Sequence, residues 1–200
     1  MNKKALIIVD VQNDFLPGGS LAVEKGDKII PIINRIQQDF DIIVATQDWH
    51  PEGHSSFASS HEGKEPFDVI ELQGEKQVMW QDHCVQGTSG AEFSSELQMK
   101  KVSAIFRKGM DPAVDSYSGF FDNNRAHRTG MAGYLHDLDV TDIYVAGLAA
   151  DFCVYYTARD GQDLGFQTHY IENATKEISQ DSYEAALEDL KERGVGICKL

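Results

Sequence analysis

Four apolar runs in this chain have the composition of strands, and each hands over to a reactive side chain at or just past its C-terminal end. Ala5–Val9 runs into Asp10, Ile42–Thr46 into Asp48 and His50, Ala104–Phe106 into Lys108, and Ile143–Ala146 leads to Cys153. Runs of Ile, Val and Ala without polar alternation suit strands buried on both faces, which is the condition of a parallel sheet covered by helices. In an open sheet of that kind the carboxyl ends of the strands line one crevice, and ligands bind there. The order of the sequence therefore predicts that a carboxylate, an ammonium, a thiol and a set of metal-ligating side chains meet at one rim.

The segments between these runs carry helical patterns, as in repeated strand–helix–strand units. The fold class expected is α/β, three-layered, with a mostly parallel six-stranded sheet and helices on both faces. Gly18-Gly19 marks a turn. Gly26 to Phe40 spaces Ile29, Ile32, Ile33, Ile36 and Phe40 as a helix does, with Pro31 tolerable near its first turn. Pro51 to about Gly90 is long, polar and rich in Gly, Ser, His and Glu, and a connection of that length is usually functional or partly structured. Ser103–Lys108 reads as the third strand, Gly109–Asn124 as irregular, Ala132–Leu138 as a helix and Ile143–Gly147 as the fourth strand. A helix beginning near Cys153 ends at Gly165, and Phe166–Ile171 reads as a fifth strand. Asp181 with Glu184 reads as a capping box before a last helix carrying Ala185, Leu187 and Leu190, and Val195–Cys198 as a sixth strand. Residues 1–200 read as one domain of ordinary size.

Acidic residues outnumber basic ones 32 to 18, a net charge of -14, which argues against nucleic acid or an anionic membrane as partner. Lys3-Lys4 before an apolar run imitates a signal peptide, but the run stops at Asp10 and reads as a strand. No stretch is long enough to span a bilayer. Cys84, Cys153 and Cys198 form no evident disulfide framework, which points to a reducing cytoplasm. Cys84 and Cys198 read as small packing residues. Homo-oligomerisation is left open.

Cys153 stands where a strand gives way to a helix, so unpaired N–H groups and the positive dipole end are expected to favour its thiolate. Free cysteines are as often simply buried. What sets Cys153 apart is its company: Asp10 to accept a proton, and Lys108 to stabilise the charge that results. The segment Leu148–Cys153 is suited to directing the N–H groups of Ala149 and Cys153 at one point, as an oxyanion hole.

Asp48 and His50 are two apart in an extended segment and project to one side, with Pro51 keeping His50 out of the helical region. His54 or His83 could complete a site of nitrogen and oxygen donors that suits zinc, iron or manganese. The alternative is loop histidines hydrogen-bonded to backbone.

Taken together, Val9-Asp10-Val11-Gln12-Asn13-Asp14-Phe15, Gly18-Gly19-Ser20-Leu21-Ala22-Val23, Thr46-Gln47-Asp48-Trp49-His50-Pro51, Trp80 to Thr88, Lys108-Gly109 and Gly147 to Cys153 resemble the nicotinamidases of the isochorismatase-like cysteine hydrolase superfamily, over nearly the whole chain. The resemblance implies a triad of Cys153, Asp10 and Lys108, and one divalent metal ion, zinc first, on Asp48, His50 and His83. His54 matches an additional histidine near the metal in some relatives. It further implies that Phe15 and Trp80 wall a pocket for a flat ring, that Tyr117 closes it, and that the Leu148–Ala149 peptide is cis. The activity implied is hydrolysis of nicotinamide to nicotinate and ammonia in NAD salvage, with pyrazinamide as a second substrate. Ala150 replaces a frequent threonine, and Gln81 a frequent proline. The rivals are metal-free amidases of the same superfamily, of N-carbamoylsarcosine or ureidoacrylate type, which lack the Asp48, His50 and His83 set, and a non-catalytic module that binds metal or a small molecule.

Overall fold

The computed structural model describes residues 3–72 and 74–200, and its strands follow the apolar runs. In chain order the elements are β1 (Lys3–Val9), α1 (Ile30–Ile36), β2 (Ile42–Asp48), β3 (Val69–Leu72), β4 (Glu75–Val78), β5 (Ala104–Lys108), α2 (Met131–Asp137), β6 (Val140–Leu148), α3 (Tyr155–Asp163), β7 (Gln167–Lys176), α4 (Gln180–Glu192) and β8 (Gly196–Cys198). Six of the strands form one sheet in the order β5-β2-β1-β6-β7-β8, every neighbour parallel. Winding reverses between β1 and β6, which makes their carboxyl ends the switch point where such sheets bind ligands.

Because strand side chains alternate in direction, β1 feeds two cores at once. Leu6 and Ile8 pack with Ile30, Ile33 and Ile36 of α1, whereas Ala5, Ile7 and Val9 pack with Met131 and Leu135 of α2, Ala158 of α3 and Leu190 of α4. These β1 side chains are fully buried, so the central strand holds both helical layers to the sheet.

Four local readings change. The helix expected over Gly26–Phe40 is α-helical only at Ile30–Ile36, with tighter 3-10 turns at Gly26–Ile29 and Gln37–Asp39. Pro31, lacking an N–H, belongs to the first turn, and this places the α-helical start at Ile30. Within the polar region after β2, β3 and β4 pair as an antiparallel hairpin. Its strands are half solvated and rich in Glu, Lys and Gln, so no apolar run announces them. Cys153 lies in a π-helical turn, Ala150–Val154, ahead of α3. Finally, α4 starts at Gln180, before Asp181, and its N-cap Ser179 makes no side-chain capping bond. The expected capping box is replaced by a distant partner: the Asp151 carboxylate accepts the N–H groups of Ile178 and Ser179 at 3.0 and 3.1 Å.

No helix among the described residues is long and apolar enough to cross a membrane.

At the end of β6 the chain runs against β1, and Gly147 (φ 129°) has no room for a side chain: a Cβ there would lie 2.0 Å from the Val9 carbonyl oxygen. Gly133, in α2, faces open space. Gly147→Ala is therefore expected to lower stability by about 3 kcal/mol through strain and forced separation of β1 from β6. Gly133→Ala should be neutral or stabilising by up to ~1 kcal/mol. Urea unfolding midpoints check the contrast, and equal midpoints would contradict it.

Candidate active site

The strand register brings the reactive residues together. Asp48 pairs with Lys108 across β2 and β5, while Val9, just before Asp10, pairs with Thr46 on one side and Gly147 on the other. Asp10 leaves β1 in a left-handed conformation (φ 47°). Its Oδ1 accepts the Thr46 hydroxyl at 2.6 Å, and its Oδ2 lies 2.9 Å from the Lys108 ammonium. Lys108 Nζ has three N–H donors. They serve Asp48 Oδ1 at 3.0 Å, the Ser116 carbonyl at 2.8 Å and Cys153 Sγ at 3.5 Å. Asp10 Oδ2, in ionic contact with the lysine, receives no well-directed hydrogen bond from the described residues. Its lone pairs are left for a proton.

The electrostatics correct one expectation. The Cys153 thiol is pushed well above the ordinary cysteine range: burial dominates, the Lys108 charge opposes it, and Asp10 and Asp48 add to the rise. With Cys153 only 7% exposed and set in the π turn, desolvation outweighs the helix-end effect expected to favour thiolate. Burial also raises Asp10, against the pull of Lys108, so the carboxylate is a stronger base than usual. Burial disfavours the charged form of Lys108 too, but the charges of Asp10 and Asp48 prevail and hold its ammonium well above the usual range.

Beside this triad, Asp48, His50 and His83 offer ligand atoms that all lie within 4.8 Å of one another, in buried positions. His50 Nε2 is 3.1 Å and His83 Nε2 3.3 Å from Asp48 Oδ2. Each ring is fixed from behind. His50 Nδ1 donates to the Gly109 carbonyl at 2.9 Å, and His83 Nδ1 to the Gln81 carbonyl at 2.7 Å. A carbonyl only accepts, so Nδ1 carries a hydrogen and Nε2 is the atom that each ring turns toward the Asp48 carboxylate, as a lone-pair donor whenever the ring is neutral. Two lone pairs and a carboxylate converging on one point is the donor arrangement of a cation site. His54 does not join it: its ring nitrogens contact Ser56 Oγ and the Asp111 carbonyl, both at 2.8 Å.

The supporting residues are also placed by backbone. Gln12 clamps Asp48 in both directions, accepting its N–H and donating to its carbonyl, each at 2.8 Å. Asp14 accepts the N–H of Cys84 at 2.7 Å and so anchors the residue after His83. Gly109 (φ 67°) must lack a side chain, since a Cβ would meet His50 Cε1 at 2.5 Å.

Phe15, Leu21, Trp80, Tyr117, Phe152 and Ile178 wall a pocket whose reactive floor holds Asp48, His83, Ala149 and Cys153. The three aromatic side chains expected there, Phe15, Trp80 and Tyr117, are thus brought together. Trp80 Nε1 and Gln77 Nε2 both donate to the Tyr117 hydroxyl, at 3.2 and 3.0 Å, which ties β4 to the pocket wall. The Leu148–Ala149 peptide is cis.

The isochorismatase domain family matches residues 4–200 of the sequence. The chain belongs to that family. The nicotinamidase of Acinetobacter baylyi is 47% identical over 195 residues, covering 97% of this chain and 91% of the relative. Among solved structures, an Acinetobacter baumanii nicotinamidase/pyrazinamidase superposes with a TM-score of 0.97 at 45% identity, covering 100% and 97% of the two chains. A Pyrococcus horikoshii pyrazinamidase in complex with zinc gives 0.81 at 37% identity, covering 99% of each.

Sequence reasoning did not assign Thr46, Phe152, Gln77 or Asp115 to the site of this isochorismatase-family chain. Thr46 ends the second apolar run and has a visible signal. Gln77 and Asp115 have none, since each lies in a polar segment whose fold is set by distant contacts.

A thiol raised by burial is protonated at neutral pH, and its thiolate fraction grows as pH climbs toward the raised value. The rate of Cys153 modification by a small neutral thiosulfonate, followed by mass spectrometry, should still be rising above about pH 10, where a thiol of ordinary pKa, about 8.5, has levelled off. A plateau at neutral pH would show a depressed thiol instead.

Proposed function

We propose that this chain is a nicotinamidase, hydrolysing nicotinamide to nicotinate and ammonia through a thioester on Cys153, as a step in NAD salvage. The observation that carries the reading is the contact of one buried ammonium, Lys108, with Asp10, Asp48 and Cys153, the last two of which line an aromatic pocket. The full-length likeness to nicotinamidases supports the substrate, and the aromatic walls suit a flat ring.

Asp10 takes the Cys153 thiol proton as the sulfur attacks the carboxamide carbon. The N–H groups of Ala149 and Cys153 receive the oxyanion. As the carbon–nitrogen bond breaks, Asp10 returns the proton, and the leaving group departs as ammonia. A water molecule then gives a proton to Asp10 and adds to the thioester carbon. Cleavage of the carbon–sulfur bond expels the sulfur, which takes back the proton held by Asp10 to restore the thiol, and the acid released loses its proton to solvent to become the carboxylate. Lys108 holds Asp10 and the sulfur in register and offsets the charge that builds on either.

Asp48, His50 and His83 would hold a divalent ion, which supplies a Lewis-acidic point for a pyridine nitrogen. Zinc is the first choice, supported by the zinc complex of the similar pyrazinamidase, with iron and manganese compatible with the same donors. The donor group argues against the metal-free amidases. Pyrazinamide, with the same ring geometry and carboxamide, is read as a second substrate. The three cysteines, all free, fit a cytoplasmic protein.

Ammonia release from nicotinamide tests the reading. Wild type should be active, and Cys153→Ala and Asp10→Asn should each lose on the order of 10³-fold or more in kcat/KM. A Cys153→Ala protein as active as wild type would eliminate the thioester. Elemental analysis should find a divalent metal in wild type and little in Asp48→Ala or His50→Ala; equal content in both variants would refute the ligand assignment.

A further inference from the structure

Asp115 belongs to the pocket, yet the mechanism gives it no task. It is buried, 4% exposed, and lines the cavity with Cys153, Asp48 and Tyr117. Both of its oxygens face neutral donors: Oδ1 accepts the Ser116 N–H at 2.7 Å and Oδ2 accepts Gln77 Nε2 at 2.9 Å. That is how a carboxylate is solvated by protein. No cation among the described residues lies within ion-pair distance of it; the nearby ammonium of Lys108 is engaged by Asp10 and Asp48. Its charge is nevertheless felt across the site: it adds to the rise of His50 and Tyr117 and partly offsets the lowering of His54 by burial.

In and beneath the pocket, three buried carboxylates, Asp10, Asp48 and Asp115, are therefore balanced by one ammonium, which touches the first two. A divalent ion on Asp48, His50 and His83 would bring this set to neutrality, and without Asp115 the same loaded pocket would be positive. A neutral set accepts a neutral carboxamide at no electrostatic disadvantage and gains nothing from an anion. A positive one would retain the anion. We propose that Asp115 is a specificity-determining residue that balances the pocket's charge, so that it takes the neutral ring carboxamide and lets go of the ring carboxylate made from it. This rests on the nicotinamidase reading and adds a product-release role that the triad does not supply.

The test is binding, separated from turnover by the Cys153→Ala background. Zinc-loaded protein is titrated calorimetrically with nicotinamide and with nicotinate at about pH 7.5 and low salt, where electrostatic effects are largest. With Asp115 in place, nicotinamide should bind at least as tightly as nicotinate. Asp115→Asn should tighten nicotinate by about tenfold relative to nicotinamide, the size expected for one charge acting across a partly screened site. Asp115→Glu, which restores the charge, and Gln77→Ala, which removes a donor and leaves the charge, should keep the original ratio to within about threefold. Zinc content, measured in each variant, should be unchanged. Should Asp115→Asn not fold, Asp115→Ser removes the same charge with less bulk. A ratio unmoved by loss of the charge, or nicotinate binding more tightly than nicotinamide when Asp115 is present, overturns the proposal. Absence of ammonia release by wild type would instead overturn the nicotinamidase reading, which is measured separately.

Discussion

The buried ammonium of Lys108 is the interaction on which both halves of the site depend. Taking an isolated ammonium out of water has an effective penalty of several kcal/mol, and two carboxylates and a backbone carbonyl are needed to offset it. Asp10 and Asp48 are those carboxylates, and the proposed mechanism gives them different work: Asp10 would handle the thiol proton, while Asp48 belongs to the donor group that could hold a metal. Removing the lysine would leave both carboxylates buried without a counter-charge, typically a loss of about 3–5 kcal/mol in comparable cases. The triad and the cation site are therefore one electrostatic unit.

That unit is held by groups that react with nothing. Carbonyls of Gly109 and Gln81 fix the tautomer and orientation of two histidines, and Gln12 sets the backbone of Asp48. Such outer partners fix the tautomer and the orientation of the rings they hold. Placement on strand ends adds rigidity, because β1, β2, β5 and β6 are fixed to one another by continuous parallel pairing.

The sheet was legible in the sequence because strands buried on both faces must be apolar throughout, and Ala5–Val9 or Ile42–Thr46 can hardly be anything else. Asp10, Asp48 and Lys108 were legible for the same reason, each standing where such a run stops, whereas Cys153 lies one turn beyond a run and His83 was singled out only by the family resemblance. Asp115, Gln77 and the β3–β4 hairpin were not, since half-solvated strands carry no apolar period and their positions follow from contacts far along the chain. The acidity of Cys153 was misjudged because a helix end is a local feature, whereas burial is a property of the folded whole. The start of α4 has no local signal either, since the N–H groups of Ile178 and Ser179, the two residues just before it, are met by Asp151 from another element.

β5 sits at the margin of the sheet with β2 as its sole neighbour there, and its last residue is Lys108, followed at once by Gly109. The amine and the carbonyl that steers His50 are thus consecutive on a single marginal ribbon. Fraying of that ribbon would misplace proton handling and ion capture in the same event, so inactivation by heat or denaturant should begin at this border and silence both functions together before the central strands part.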